Sequence, residues 1–226
     1  MYLSETMSIW SVIISAGGIG RRMGGDIPKQ FHLIHNKPII LHTIEKFLAF
    51  DAEIELIIVL PEDWINYWEE LCQKFFFTAN HKVVVGGDER FFSIQNGLRE
   101  VTKPYVAVHD AVRPVISAQL IRTCFDTAIE TGTAIPVVPI NESLRKIENE
   151  ISVVVNREDY RIVQTPQCFK TDLLKEAYQQ LYSRLFTDDA SVFEAHGGNV
   201  SLVQGEVENI KITRPADLKI SAAYLE

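Results

Sequence analysis

Residues 15–30 read Ser15-Ala-Gly-Gly-Ile-Gly-Arg-Arg-Met-Gly-Gly-Asp-Ile-Pro-Lys-Gln30. They follow the apolar run Ile9–Ile14, which reads as a first buried strand. Five glycines, two arginines and one lysine then crowd into one loop. Glycine lets backbone N–H groups close on an anion without a Cβ in the way. Arginine and lysine neutralise that anion. A strand running into such a loop predicts an α/β sheet with a polyphosphate site at the end of its first strand. The competing reading is a glycine-rich turn with solvated cations.

The loop is not one of the commoner phosphate loops. The dinucleotide fingerprint needs a third small residue, but Gly18-Ile-Gly20 continues into Arg21-Arg22-Met23. The P-loop needs Gly-Lys-Ser/Thr, which is absent. Gly-Gly-x-Gly-x-Arg-Met followed by Pro28-Lys29-Gln30 resembles the loop of nucleotidyltransferases, which grip a nucleoside triphosphate and release pyrophosphate.

Outward from this loop, β-rich runs alternate with amphipathic segments. Leu56–Leu60, Val83–Val85, Tyr105–Val108 and Ala134–Val138 read as strands. Ile39–Phe50, a helix capped by Asp63 and running to about Phe76, Ser93–Val101 and Ala118–Glu130 (N-capped by Ser117) read as helices. The alternation predicts a mostly parallel sheet covered on both faces. It breaks at Pro139. Ser143–Ile147 and Ile151–Val155, with Glu148-Asn149-Glu150 between, read as a hairpin with an apolar face of Ile151, Val153 and Val155. A lone hairpin is marginal in water, so residues 140–165 are expected to be an arm that pairs with a second subunit. Thr171–Arg184, Asp188–His196 and Pro215–Tyr224 read as helices and Val200–Gln204 as a strand.

The 226 residues suit one domain carrying that arm. Net charge is −8, so the overall field repels anions. A phosphate substrate must then be caught by a local cationic cluster, and a nucleic-acid partner is not expected. The three cysteines, Cys72, Cys124 and Cys168, form no metal pattern or disulfide framework, as in a reducing cytoplasm. No apolar run reaches the length of a membrane span, and no signal peptide is read at the N-terminus.

Ligands of such sheets bind at the carboxyl ends of the strands, so Gly86-Gly-Asp-Glu-Arg90 and His109-Asp-Ala-Val-Arg-Pro114 should open onto the crevice of the first loop. Gly87, Asp88 and Ser93 are suited to a base or ribose, or are only a turn with an acid favourable to the helix dipole. Asp110 is suited to a hydrated Mg²⁺ or a hydroxyl, and Arg113 to a phosphate, or they are a cap and a surface cation. His109 reads as structural. Arg157 and Lys211 read equally as surface cations, and Thr187 or Asp188 as a helix N-cap.

Taken together the motifs resemble the 2-C-methyl-D-erythritol 4-phosphate cytidylyltransferases. The matching pieces are Ala16–Met23, Pro28–Gln30, Gly86–Arg90, His109–Pro114, Gln164-Thr-Pro-Gln167, Thr187-Asp-Asp-Ala-Ser191 and Asn209-Ile-Lys-Ile-Thr-Arg-Pro215. The resemblance implies a Rossmann-like three-layer α/β/α fold, a projecting β-arm and a homodimer with interlocked arms. It implies CTP as co-substrate, Mg²⁺ held mainly by the CTP phosphates, and a polyol phosphate as acceptor. Ala16, Gly17, Gly18 and Gly20 would wrap the triphosphate, and Arg22 and Lys29 would stabilise charge at the α-phosphate. Gly87, Asp88 and Ser93 would recognise the nucleoside, with Asp110 and Ala111 beside it. Arg113, Ser143, Arg157, Thr187 and Lys211, with Asp110, would hold the acceptor, and Arg157 would come from the partner's arm. Arg157 and Lys211 would join Arg22 and Lys29 as catalytic cations.

Two departures bear on the acceptor. Ser143 stands where the family often has Thr, and Val112 where it often has Ala. Ribitol-5-phosphate cytidylyltransferases carry the Val form, whereas Arg21-Arg22 and Thr187–Ser191 look more like the methylerythritol enzymes. Ribitol phosphate, or another sugar phosphate, is the alternative acceptor. The attacking phosphate is already an anion, so no general base is required. That agrees with the lack of a Ser/His/Asp or Cys/His constellation in the sequence.

Overall fold

The run ahead of the glycine loop is strand β1 (Trp10–Ser15), in which Val12, Ile13 and Ile14 are fully buried. The computed structural model describes residues 8–18 and 27–225. In chain order, two short strands β2 (Leu33–Ile34) and β3 (Lys37–Pro38) lead to α1 (Ile39–Phe50). Then come β4 (Glu55–Leu60), α2 (Ile65–Lys74), β5 (Lys82–Val85), α3 (Arg90–Glu100), β6 (Tyr105–Asp110), α4 (Ala118–Thr131) and β7 (Thr133–Pro139). The arm holds β8 (Arg145–Glu148) and β9 (Ile151–Val154). Strand β10 (Arg161–Val163) falls inside the expected arm of residues 140–165 but pairs with β7 in the main sheet, and after it follow β11 (Gln167–Lys170), α5 (Thr171–Ala177), α6 (Asp189–Ala195), β12 (Leu202–Gln204) and α7 (Pro215–Tyr224).

The sheet order is β10-β7-β11-β6-β1-β4-β5, with β12 also on β7. Strands β6, β1, β4 and β5 are mutually parallel, as is β12 with β7. Strand β11 runs antiparallel to both β6 and β7, and β10 antiparallel to β7. The period of two along each strand sorts its side chains between two cores. Val12, Ile14, Leu56 and Ile58 pack with α1, α2 and α4, while Ile13, Ile57 and Val59 pack with α3, α5 and α6. This is the expected three-layer, Rossmann-like α/β fold. On α1, Ile40, Leu41, Ile44 and Phe47 are buried. Each such side chain contributes on the order of 1.5–3 kcal/mol.

Several expectations need correction. Asp63 does not cap α2; with Pro61 ahead of it, Glu62–Trp64 makes a 3₁₀ turn and the helix begins at Ile65. Helix α3 starts at Arg90, one turn before Ser93. The helix expected over Thr171–Arg184 stops at Ala177. There the Gln180 amide takes the carbonyls of Ala177 and Val192 at 2.7 and 2.8 Å, and Tyr178 turns inward to Asp189. Of the two expected N-caps of α6, Asp188 is the one that serves, its carboxylate accepting from Ser191 N–H at 2.9 Å. Val200 lies outside β12.

The hairpin forms as expected, but its turn is Asn149-Glu150 alone, both with positive φ, and Glu148 stays in β8. Two left-handed residues are what a tight hairpin turn requires. The register sets Lys146 opposite Val153 and Ile147 opposite Ser152. Ile151 and Val153 therefore share one face and Ile147 and Val154 the other, so both faces are apolar rather than one. All four are exposed, whereas Val155 lies beyond the strand.

Candidate active site

Register brings the functional segments together before any side chain is considered. Ser15 pairs with Asp110 across β1 and β6, so the glycine loop and the Asp110 turn leave the sheet side by side. Leu60 pairs with Val85, so Gly86 leaves the adjoining pair of strands at the same end. A cleft of 390 Å³ opens there, lined by Ala16–Gly18, Lys29, Gly87–Arg90, Ser93, Asp110–Val112 and Lys211, among others.

One wall is backbone. Ala16 N–H donates to Val59 O at 3.0 Å, and Ala16 O accepts from the Gln30 amide at 2.7 Å. The first bond holds the loop's root to β4 and the second ties it to the 3₁₀ turn Lys29–Phe31, and Gly17 and Gly18 line the cleft. Beside them, Gly87 N–H donates to Ser93 Oγ at 3.0 Å, and Ser93 Oγ donates back to Gly87 O at 3.3 Å. A Cβ on Gly87 would sit 2.4 Å from Phe92 Cβ, so that position is closed to any side chain by packing.

The other wall is charged. Asp110 is buried; its Oδ2 accepts from Arg113 Nε at 3.0 Å and forms an ion pair with Lys211 Nζ at 3.1 Å. Burial pushes its carboxyl up, but Lys211, Arg113 and Arg90 outweigh that and hold it below the ordinary carboxylate range. Lys29 Nζ donates to Ile212 O at 3.1 Å, one residue from Lys211. Residues 29, 110 and 211, remote in sequence, are thereby gathered on one side of the cleft: Asp110 pairs with Lys211, and Lys29 is held on the carbonyl of the next residue.

Behind it lies a ring of hydrogen bonds. Arg113 Nη1 donates to Asn209 O at 2.8 Å, and the Asn209 amide donates to Thr165 O at 2.9 Å. Thr165 Oγ1 accepts from Asp110 N–H at 3.1 Å and lies 3.0 Å from His109 Nδ1. Burial pushes the His109 imidazole down to about 4, so it is neutral near pH 7 and serves as a structural member of the ring, as the sequence suggested. The ring joins three motifs that the sequence shows as separate.

Ala16, Gly17, Gly18, Lys29, Gly87, Asp88, Ser93, Asp110, Ala111 and Lys211 thus meet at one cleft. Gly20 and Arg22 lie outside the described residues. Arg113 sits behind Asp110 rather than on the cleft surface. Ser143, Arg157 and Thr187 are exposed and do not line the cleft of this chain. Arg157 instead donates to Asn141 O and pairs with Glu158 at 3.4 Å. Gln30 and Arg90 were missed as site residues. Both stood in quoted motifs, yet a buried amide and a first-turn arginine carry no local signal of what they face. Val112 packs with Ile34, Ile39 and Ile212, which accounts for its branched side chain by burial.

Among the described residues no group of three or more His, Cys, Asp or Glu gathers as a metal site, and the three cysteines are unpaired. The carboxylates that line the cleft are Asp88, Glu89 and Asp110. No described helix is long and apolar enough to cross a membrane.

A family model described as 2-C-methyl-D-erythritol 4-phosphate cytidylyltransferase matches residues 10–226. A protein of that name from Bacteroides thetaiotaomicron is 48% identical over 216 residues, covering 95% of this chain and 99% of the relative. The structure of 4-diphosphocytidyl-2C-methyl-D-erythritol synthase from Anaerococcus prevotii superposes with a TM-score of 0.80 at 26% identity, covering 96% and 97% of the two chains. The bifunctional IspDF of Campylobacter jejuni superposes with a TM-score of 0.81 at 28% identity; 94% of this chain covers 54% of that one.

Proposed function

The chain belongs to the 2-C-methyl-D-erythritol 4-phosphate cytidylyltransferase family, and from that premise we propose that it transfers CMP from CTP to 2-C-methyl-D-erythritol 4-phosphate, releasing pyrophosphate. The observation that carries this reading is the cleft itself, lined by glycine backbone together with Lys29 and the Asp110–Lys211 pair.

A phosphate oxygen of the acceptor attacks the α-phosphorus of CTP. The new P–O bond forms as the bond to the β-phosphate oxygen breaks, and the electron pair leaves with pyrophosphate. The nucleophile arrives ionised, so His109 need not take a proton. The barrier is repulsion between polyanions and poor alignment, which fixed cations relieve. Gly17 and Gly18 wrap the triphosphate and Lys29 stabilises charge at its α-phosphate, roles that the family resemblance extends to Gly20 and Arg22 respectively. Gly87 and Asp88 read the nucleoside, with Ser93 holding Gly87 in place. Asp110 anchors Lys211 toward the acceptor, and Arg113 keeps Asp110 aligned. Mg²⁺ bound by the phosphates, with Asp110 as its side-chain neighbour, would neutralise their charge.

Arg157, Ser143 and Thr187 complete the acceptor site, and the exposed apolar arm accounts for how Arg157 reaches it: from the second chain of a homodimer. The three unpaired cysteines support a cytoplasmic setting. Pyrophosphate release is measured with CTP, ATP, GTP and UTP against a panel containing methylerythritol phosphate and ribitol 5-phosphate. CTP with methylerythritol phosphate should turn over fastest. Equal turnover with ATP removes the cytidylyl assignment, and a preference for ribitol phosphate replaces the acceptor.

A further inference from the structure

Arg90 is the first residue of α3, where a cation opposes the helix dipole. Its guanidinium is directed instead at Asp189, the first residue of α6. Nη1 donates to Oδ1 at 2.9 Å and Nη2 to Oδ2 at 2.6 Å. Asp189 is fully buried, and the Tyr178 hydroxyl donates to its Oδ1 at 2.6 Å. Arg90 also lines the cleft, with Gly87, Asp88 and Ser93. Beyond the pair, Gln167 joins the start of α6 to β11, its amide donating to Asp188 Oδ2 at 2.8 Å and its carbonyl accepting from Ala190 N–H at 2.9 Å.

A pair with one member wholly buried is a weak source of net stability, because desolvation offsets the attraction. A two-pronged arginine–carboxylate contact does fix direction. We infer that the Arg90–Asp189–Tyr178 cluster is a positioning device for the nucleotide. It sets the angle at which the first turn of α3 presents Gly87 and Ser93 to the cleft, and it ties that turn to α6 and β11. Arg90 is thus a positioning residue of the cytidylyltransferase reading on which this inference rests.

The test is the Kd for CTP with Mg²⁺, measured by calorimetry without acceptor, alongside KM for each substrate and thermal melting. Asp189→Asn should weaken CTP about tenfold, as displacement of a binding wall by a fraction of an ångström does. Arg90→Lys keeps the charge but loses the fork, so its loss should be smaller. Tyr178→Phe removes one hydrogen bond and should cost about two- to threefold. Acceptor KM should stay within about twofold throughout, as expected for a device acting on the nucleotide wall alone. If Asp189→Asn does not fold, the two milder variants carry the same order. Variants that melt earlier but bind CTP like the wild type would make the cluster purely structural and overturn the inference. Wild-type protein that binds no CTP would overturn the functional reading and this inference with it.

Discussion

Asp110 and Glu55 stand at opposite ends of one sheet, and both are held below the ordinary carboxylate range. Burial opposes the charge of each. At Asp110 it is outweighed by cations, of which Lys211 borders the cleft. At Glu55 it is outweighed by the Ser11 hydroxyl, the N–H and hydroxyl of Thr102, and Lys82. The Glu55 partners tie β4 to β1 and to the turn after α3, and Lys82 also reaches Glu100. The groove at the Glu55 end is the larger, 500 Å³ against 390 Å³. A depressed carboxylate beside a cavity is therefore not in itself a functional signature. What distinguishes Asp110 is that two of the cations acting on it, Lys211 and Arg90, line a cleft that Gly17, Gly18 and Gly87 also line.

That contrast can be broken at its strongest point first. Lys29→Ala should lower kcat by about 10²–10³, as loss of one preorganised donor does, with a smaller rise in KM for CTP. Arg22→Ala should behave alike. A change confined to KM would mean ground-state binding only. Asp110→Asn should come next, at roughly 10² in kcat/KM, because Lys211 loses its anchor. Equal damage from Glu55→Gln would erase the difference between the two ends.

The arm sharpens the comparison, since Arg157 is a cation remote from its own chain's cleft. Arg157→Ala should raise acceptor KM about tenfold and leave CTP within about twofold. Mixed dimers with Lys29→Ala chains should recover activity, because one site would then hold both intact groups. No recovery in verified heterodimers would assign each site to a single chain.

The smallest effect on activity belongs to Glu55→Gln, with kcat/KM within about twofold but a stability loss of roughly 1–3 kcal/mol. Its ordinary pKa is 4.5 and its folded value about 2. The folded value is depressed, so its stabilisation is complete above pH 4.5 and is lost as pH falls from 4.5 toward 2. Melting curves of the Glu55→Gln protein should therefore depend less steeply on pH in that window.

Much of the sheet is legible in the sequence because its parallel strands are continuous apolar runs and α1 and α4 carry their own periodicity. Strand β11 was not, since Gln167-Cys-Phe-Lys170 is short, and Gln167 is buried by a partner on α6 that no local pattern reveals. The segment after Ala177 misled for the same reason: Gln180 and Tyr178 find their partners across the fold. At the cleft, the glycine loops and Lys29 announced themselves by composition. Arg90 did not, because its meaning lies in Asp189, 99 positions away.

The placement of β11 between β6 and β7 has a consequence for biosynthesis. The middle of the sheet is closed by a strand made after both its neighbours. While the ribosome translates the arm, β6 and β7 stand with open edges, for a time on the order of seconds at ordinary elongation rates. Chains arrested before Gln167 should be cut by limited proteolysis at sites that the finished protein protects. The nascent protein thus passes through an interval in which its own unpaired strands can recruit a neighbouring polysome's product.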